Sequence, residues 1–142
     1  VDLACLLFGA AAWQCAGRDR WIGWTAEQRV QGLPFVANNS RFLILPSVVV
    51  PHLASHLLSQ IARRIDQDWQ KRYGHPLHLL ETFVQSDRFR GTCYQAANWI
   101  CVGQTTGRTR QNQRHRDNAV HAPVKDIYLY PLTADARHHL CR

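Results

Sequence analysis

Cys93 and Tyr94 stand side by side in "FRGTCYQAANW" (89 to 99). Two readings are open for them: a thiol and a general acid at a cleft, or the packing of a short helix against a strand. A catalytic cysteine wants a base beside it to form thiolate, and the neighbouring positions supply none. Glu81 stands at the end of "HLLE", on an otherwise apolar predicted strand. A carboxylate in that place needs either a partner or a task, because burying it alone is costly.

His52 and His56 are spaced one helical turn apart at the start of a predicted helix. That spacing holds a metal only with a third ligand, and there is no His-Glu-x-x-His, so no metal site is predicted. Anion contact at the helix start, through His52, Ser55 and the free N–H groups, is the other use of the same residues. "RDRWIGW" puts Arg18, Asp19 and Arg20 beside Trp21 and Trp24. Interleaved Arg and Trp suit stacking on bases, but an Arg-Asp pair fixing a turn under core tryptophans explains them too, and we read them as structural. "GQTTGRTRQNQRHR" (103 to 116) joins two glycines and several hydroxyls to Arg108, Arg110, Arg114 and Arg116, with no apolar face to bury. Such a loop fits phosphate contacts by guanidinium and backbone amides, or is a disordered basic loop.

The formal net charge is +7 over 142 residues, a surface field that attracts polyanions. A nucleic acid or another polyanion is therefore the expected partner. Arg63, Arg64, Lys71 and Arg72 form a second basic group, which serves as a solvated helix face or as a binding surface. Apolar residues make up 46% and charged residues 19%, a globular balance with material for one core. Apolar runs stop well short of the roughly 20 residues a membrane span needs, so no membrane partner is expected. Five cysteines without a C-x-x-C argue against a disulfide scaffold and for a reducing, cytoplasmic setting. The chain opens on Val1 and holds no methionine, and we expect an N-terminally shortened single domain over 1 to 142.

These residues must be placed by a small set of elements. Residues 3 to 15 read as a strand and 17 to 25 as a turn-rich link. Thr25 and Gln28 have capping-box spacing for a helix over 26 to 33. Asn38, Asn39 and Ser40 predict a turn. Residues 41 to 50 predict a buried strand in which Pro46 forces a parting from its neighbour. Leu53, Leu57, Leu58, Ile61, Ile65 and Trp69 form one stripe of a helix of about 20 residues that Gly74 ends. A strand over 75 to 84, a helix over 86 to 99, a strand over 100 to 105, the basic loop over 106 to 123 and a strand over 124 to 132 complete the chain. The order predicts an α/β layer architecture with at least one parallel βαβ crossover.

The strand and helix order over 41 to 105 resembles the C-terminal portion of the GNAT (acyl-CoA N-acyltransferase-like) fold, a mixed central sheet with flanking helices. "VVP" followed by "LASHLL" resembles the motifs that bracket that family's coenzyme A loop. "SDRFRGTCYQAANWICVG" resembles its asparagine-to-tyrosine segment, with Asp87 where the family has asparagine and Tyr94 at the tyrosine. The resemblance implies acetyl-CoA as the ligand, with Leu45, Pro46, Val48, Leu53, Ala54, Ser55 and Asp87 against it. It also implies Tyr94 as the acid that protonates a departing thiolate and, by topology, Glu81 as a base. Only His52 stands between Pro51 and Leu53, so the glycine-rich pyrophosphate turn of that family is missing and its loop is atypical. Across nearly the whole chain, "RDRWIGW", "NNSRFLILP", "PHLASHLL", "LLETFV", "RGTCYQAANW", "VGQTTGR" and "VKDIYLYPL" strongly resemble the Druantia anti-phage protein A (DruA) family. That resemblance implies a place in phage defence, an association with transposases, and defence-system or transposase proteins as partners.

Overall fold

A computed structural model describes residues 4–87, 91–106 and 123–142. The elements are β1 (Ala4–Ala10), α1 (Ala16–Ile22), α2 (Ala26–Gly32), a 3-10 turn (Leu33–Phe35), β2 (Val36–Ile44), α3 (Leu53–Tyr73), β3 (Leu79–Gln85), α4 (Thr92–Ala96), β4 (Ile100–Gln104), β5 (Lys125–Pro131) and α5 (Ala136–Leu140). The strands form one five-stranded sheet in the order β1-β2-β3-β5-β4. Among the described residues only β2 and β3 run parallel, joined through α3. The other neighbours are antiparallel, so this is a mixed sheet with helices on both faces.

Side chains alternate across the sheet and build a core on each face. On one side Ala37, Leu80, Val84 and Tyr128 pack under α3 and α4 with Leu58, Ile65, Tyr94 and Trp99. On the other, Val36, Leu79, Ile127 and Leu129 pack under α1, α2 and α5 with Ile22, Trp24 and Leu140. Helix α3 follows the predicted stripe and ends at Gly74, whose φ of 78° is the left-handed cap. Helix α2 starts on the predicted capping box, with both reciprocal bonds of Thr25 and Gln28 present.

Several expectations are corrected. Residues 17 to 25 are mostly helix α1 rather than a turn-rich link, and the first strand stops at Ala10. Gly17 carries that helix against the sheet: a Cβ there would meet Ile127 Cδ1 at 3.0 Å. Asn38, Asn39 and Ser40 lie inside β2, not in a turn, and the strand runs Val36–Ile44 instead of 41 to 50. Pro46 falls outside it, in an exposed turn. The third strand begins only at Leu79, and of 86 to 99 only Thr92–Ala96 is helical among the described residues. His138 and His139 belong to α5, and the His139 ring stacks on His78 at 4.8 Å.

Candidate functional site

The parallel pair β2 and β3 is hydrogen-bonded only where Val36, Ala37 and Asn38 face Leu79, Leu80 and Glu81. Beyond that point β2 continues beside β1 and β3 continues beside β5, so the two strands part. The parting expected at Pro46 thus exists, but it opens at Asn39 and Thr82. Its cause is visible in the register. Leu7 faces Arg41 and Phe8 faces Asn39, which leaves Ser40 as the extra residue of a β-bulge that bends β2 away.

Asn39 serves both sides of that bend. Its Nδ2 donates to the carbonyls of Leu7 (3.1 Å) and Arg41 (3.0 Å), replacing ladder bonds the bulge removes. The Tyr94 hydroxyl donates to its Oδ1 at 2.6 Å, and the Thr82 hydroxyl donates to its backbone carbonyl at 2.9 Å. The wedge between the strands is therefore filled by three buried polar side chains that satisfy one another. Burial pushes the Tyr94 phenol above its ordinary value, so it stays a hydrogen-bond donor throughout the neutral range. Gly91, at φ 66°, lets α4 start against Tyr128; a Cβ would lie 2.7 Å from the Tyr128 hydroxyl. That approach stacks Tyr94 on Tyr128 with ring centroids 5.9 Å apart.

Glu81, the last ladder residue before the parting, points to the opposite face. There its partner is Arg18, whose Nη1 donates to Oε1 at 2.8 Å and to the Ala12 carbonyl at 2.6 Å. Both side chains are fully buried. Arg18 Nε also donates to Asp19 Oδ1, which accepts from Trp24 Nε1 as well, each at 3.0 Å. Burial pushes the Glu81 carboxyl up from its ordinary value, against the opposing pull of the guanidinium. The second carboxylate oxygen, Oε2, is buried without a hydrogen-bond partner among the described residues. The sequence reading of Arg18 and Asp19 as structural did not reach this pairing with Glu81; Arg18 lies 63 positions away, and only the unexplained carboxylate signalled that a partner existed.

Tyr94 and Glu81 are thus on opposite faces of the sheet and do not face one cleft. Cys93 is half-buried beside Tyr94, and burial raises its thiol, which disfavours thiolate. Leu45 and Pro46 are exposed in the turn before α3, Val48 follows them half-buried, and Leu53, Ala54 and Ser55 open the helix half-buried. Asp87 is exposed after β3. At the start of α3, His52 takes a left-handed φ of 59° and caps nothing with its side chain, while the Ser55 hydroxyl donates to the His52 carbonyl. With the wedge filled and no glycine cradle at α3, these residues do not fit acetyl-CoA in the GNAT manner.

Two surface pockets lie elsewhere: one of about 430 Å³ between β1 and α3, and one of about 420 Å³ between α2 and α5. The described residues contain no group of three His, Cys, Asp or Glu placed to hold a metal, and no helix long and apolar enough to cross a membrane. Arg108, Arg110, Arg114 and Arg116 lie outside the described residues.

No curated protein matches the chain. Among solved structures, a crystal structure described as a "putative acetyltransferase" from Sphaerobacter thermophilus DSM 20745 is similar at 16% identity, over 68% of this chain and 54% of that protein, with a TM-score of 0.35. The match spans about half of that protein's length, and a score so low carries no argument about ligand or activity. The family profile of the Druantia protein DruA matches residues 3–114, most of the chain. The chain belongs to the Druantia protein DruA family.

Proposed function

We propose that this chain is a nucleic-acid-binding part of an anti-phage defence protein, holding a polyanion through Arg108, Arg110, Arg114 and Arg116 on a mixed α/β scaffold. Membership in the DruA family supports the defence setting. The observation that carries the binding reading is the net charge of +7, with four arginines packed into the nine residues that follow Gly107, a segment that offers no apolar face. The filled wedge favours a scaffold over an enzyme, because its polar side chains bond to one another rather than to a ligand. Transposase or defence-system partners would meet the same complex.

Fluorescence anisotropy with labelled DNA and RNA tests the reading. A variant with Arg108, Arg110, Arg114 and Arg116 replaced by alanine should bind at least about ten-fold more weakly than the parent, since each phosphate contact adds to affinity. Equal binding by the two proteins would sink it.

A second reading, acyl transfer from acetyl-CoA with Tyr94 as acid, has one feature in its favour: parallel strands that part beside a protonated phenol. Calorimetry with acetyl-CoA decides it. Heat that disappears in Tyr94→Phe or Asn39→Ala would revive it, and no heat at millimolar ligand would remove it.

A further inference from the structure

The tryptophans fall into two classes. Trp69 and Trp99 lie on the α3 and α4 face and have aromatic neighbours, Tyr73 at 4.6 Å and Tyr94 at 5.0 Å. Trp13, Trp21 and Trp24 lie on the other side of the sheet, and each has a guanidinium over its ring. Arg29 is 5.7 Å from the Trp13 centroid, Arg137 is 4.0 Å from Trp21, and Arg18 is 5.8 Å from Trp24. The last pair is buried and belongs to the Glu81 ion pair. The other two reach solvent: Trp13 is 50% exposed, and Arg137 is exposed above the partly buried Trp21.

A half-exposed indole contributes little burial for its size, and a guanidinium laid on a ring keeps its outer face open to another planar group. Arg20, next to Trp21 on α1, is exposed. Neither Arg20 nor Arg137 has a carboxylate within ion-pair distance among the described residues. Arg29 has only Asp19, at 3.5 Å, and that carboxylate already accepts from Arg18 and Trp24. Asp19 is thus consumed inside the layer, and the cations Arg20, Arg29 and Arg137 outnumber its exposed carboxylates, Glu27 on α2 and Asp135 at the start of α5. Helix α5 is held in the same layer, with Gln28 Nε2 donating to the Cys141 carbonyl at 2.6 Å. Beside it lies the groove of about 420 Å³, which takes in Gln31, Phe35 and the stacked His78 and His139.

We propose that the layer formed by α1, α2 and α5 is a second interface, which takes single-stranded nucleic acid by stacking bases on the Trp13 with Arg29 and Trp21 with Arg137 pairs while Arg20 meets phosphate. The partner's class rests on the nucleic-acid reading above, but the residues are different. The charge of the layer complements a polyanion, and its planar groups complement exposed base faces, which a duplex hides and a single strand offers. The basic loop meets phosphates on any nucleic acid; this layer selects the unpaired strand.

Anisotropy tests the proposal with single strands of oligo(dT) and oligo(U) of about 12 nucleotides, a length within the usual single-strand site size, and with a duplex of the same length. Four proteins are compared: the parent, Trp13→Ala with Arg137→Gln, the alanine variant of the 108 to 116 loop, and their combination. The Trp13 and Arg137 variant should lose at least about five-fold in single-strand affinity. Its duplex binding and far-UV spectrum should match the parent, and excess heparin, charged but without planar bases, should compete equally against both. Loss of single-strand and duplex binding by the same factor, or no loss at all, would overturn the proposal. If only the loop variant weakens, this inference fails and the loop reading stands. If only the helix-layer variant weakens, the loop reading fails and this one stands. A parent that binds none of the probes removes both.

Discussion

Arg18 and Asn39 carry the chemistry that holds the parting of β2 and β3, one on each face of the sheet. A fully buried ion pair contributes little net stability against an apolar pair, yet breaking it on one side leaves an uncompensated charge. Arg18→Met should therefore lower stability by about 3–5 kcal/mol in urea unfolding followed by circular dichroism. Arg18→Met with Glu81→Leu should recover most of that loss. If the double variant were as unstable as the sum of the singles, the pair would not be the coupled unit described here. Asn39 uses its amide both ways, donating to two carbonyls and accepting from Tyr94. Tyr94→Phe removes one hydrogen bond and should cost about 1 kcal/mol, whereas Asn39→Asp turns donors into acceptors facing two carbonyls and should cost at least about 2 kcal/mol more. Comparable losses in thermal unfolding would contradict the assignment. Neither partnership could be read from the chain: Arg18 meets Glu81 across 63 positions and Tyr94 meets Asn39 across 55, distances at which spacing says nothing.

The elements divide by how local their causes are. Helix α3 was legible because its stripe and its Gly74 stop are written in consecutive residues, and α2 because its capping box is. Helix α1 was not, since its two glycines read as turn signals. In the fold Gly23 caps the helix at φ 81° and Gly17 brings it against the sheet. The start of β2 was missed because Asn38, Asn39 and Ser40 have turn propensities that a neighbouring strand and a bulge override. Helix α5 depends on contacts still farther away, among them the stacking of His139 on His78. Burial, and then the neighbouring His139, push the His78 imidazole below its ordinary value. The folded state thus binds this proton less readily than the unfolded chain, and stability must rise with pH across the transition. The contribution is fully present above the ordinary histidine value near 6.5 and is lost as pH falls through the lower folded value. Thermal midpoints of the parent should drop from pH 7 to pH 5 by more than those of His78→Gln. Parallel pH profiles of the two proteins would contradict the role given to His78.

At the scale of the whole molecule, the mixed sheet separates a face with long α3 from a face built of short helices. The α/β class and the parallel crossover followed from the alternation of periodic segments. The closure of the wedge did not, because it rests on side chains meeting between strands that no local pattern brings together. What joins family, charge and scaffold is the claim that the arginines of 108 to 116 hold phosphate. Measuring the association constant for a DNA duplex across a salt series, in the parent and in the alanine variant of those four arginines, tests that claim most directly. Counterion release makes the logarithmic slope proportional to the phosphates neutralised, at about 0.9 per contact. The parent's slope should exceed the variant's by about 3.6 if all four arginines engage. Identical slopes, with affinity unchanged, would contradict it.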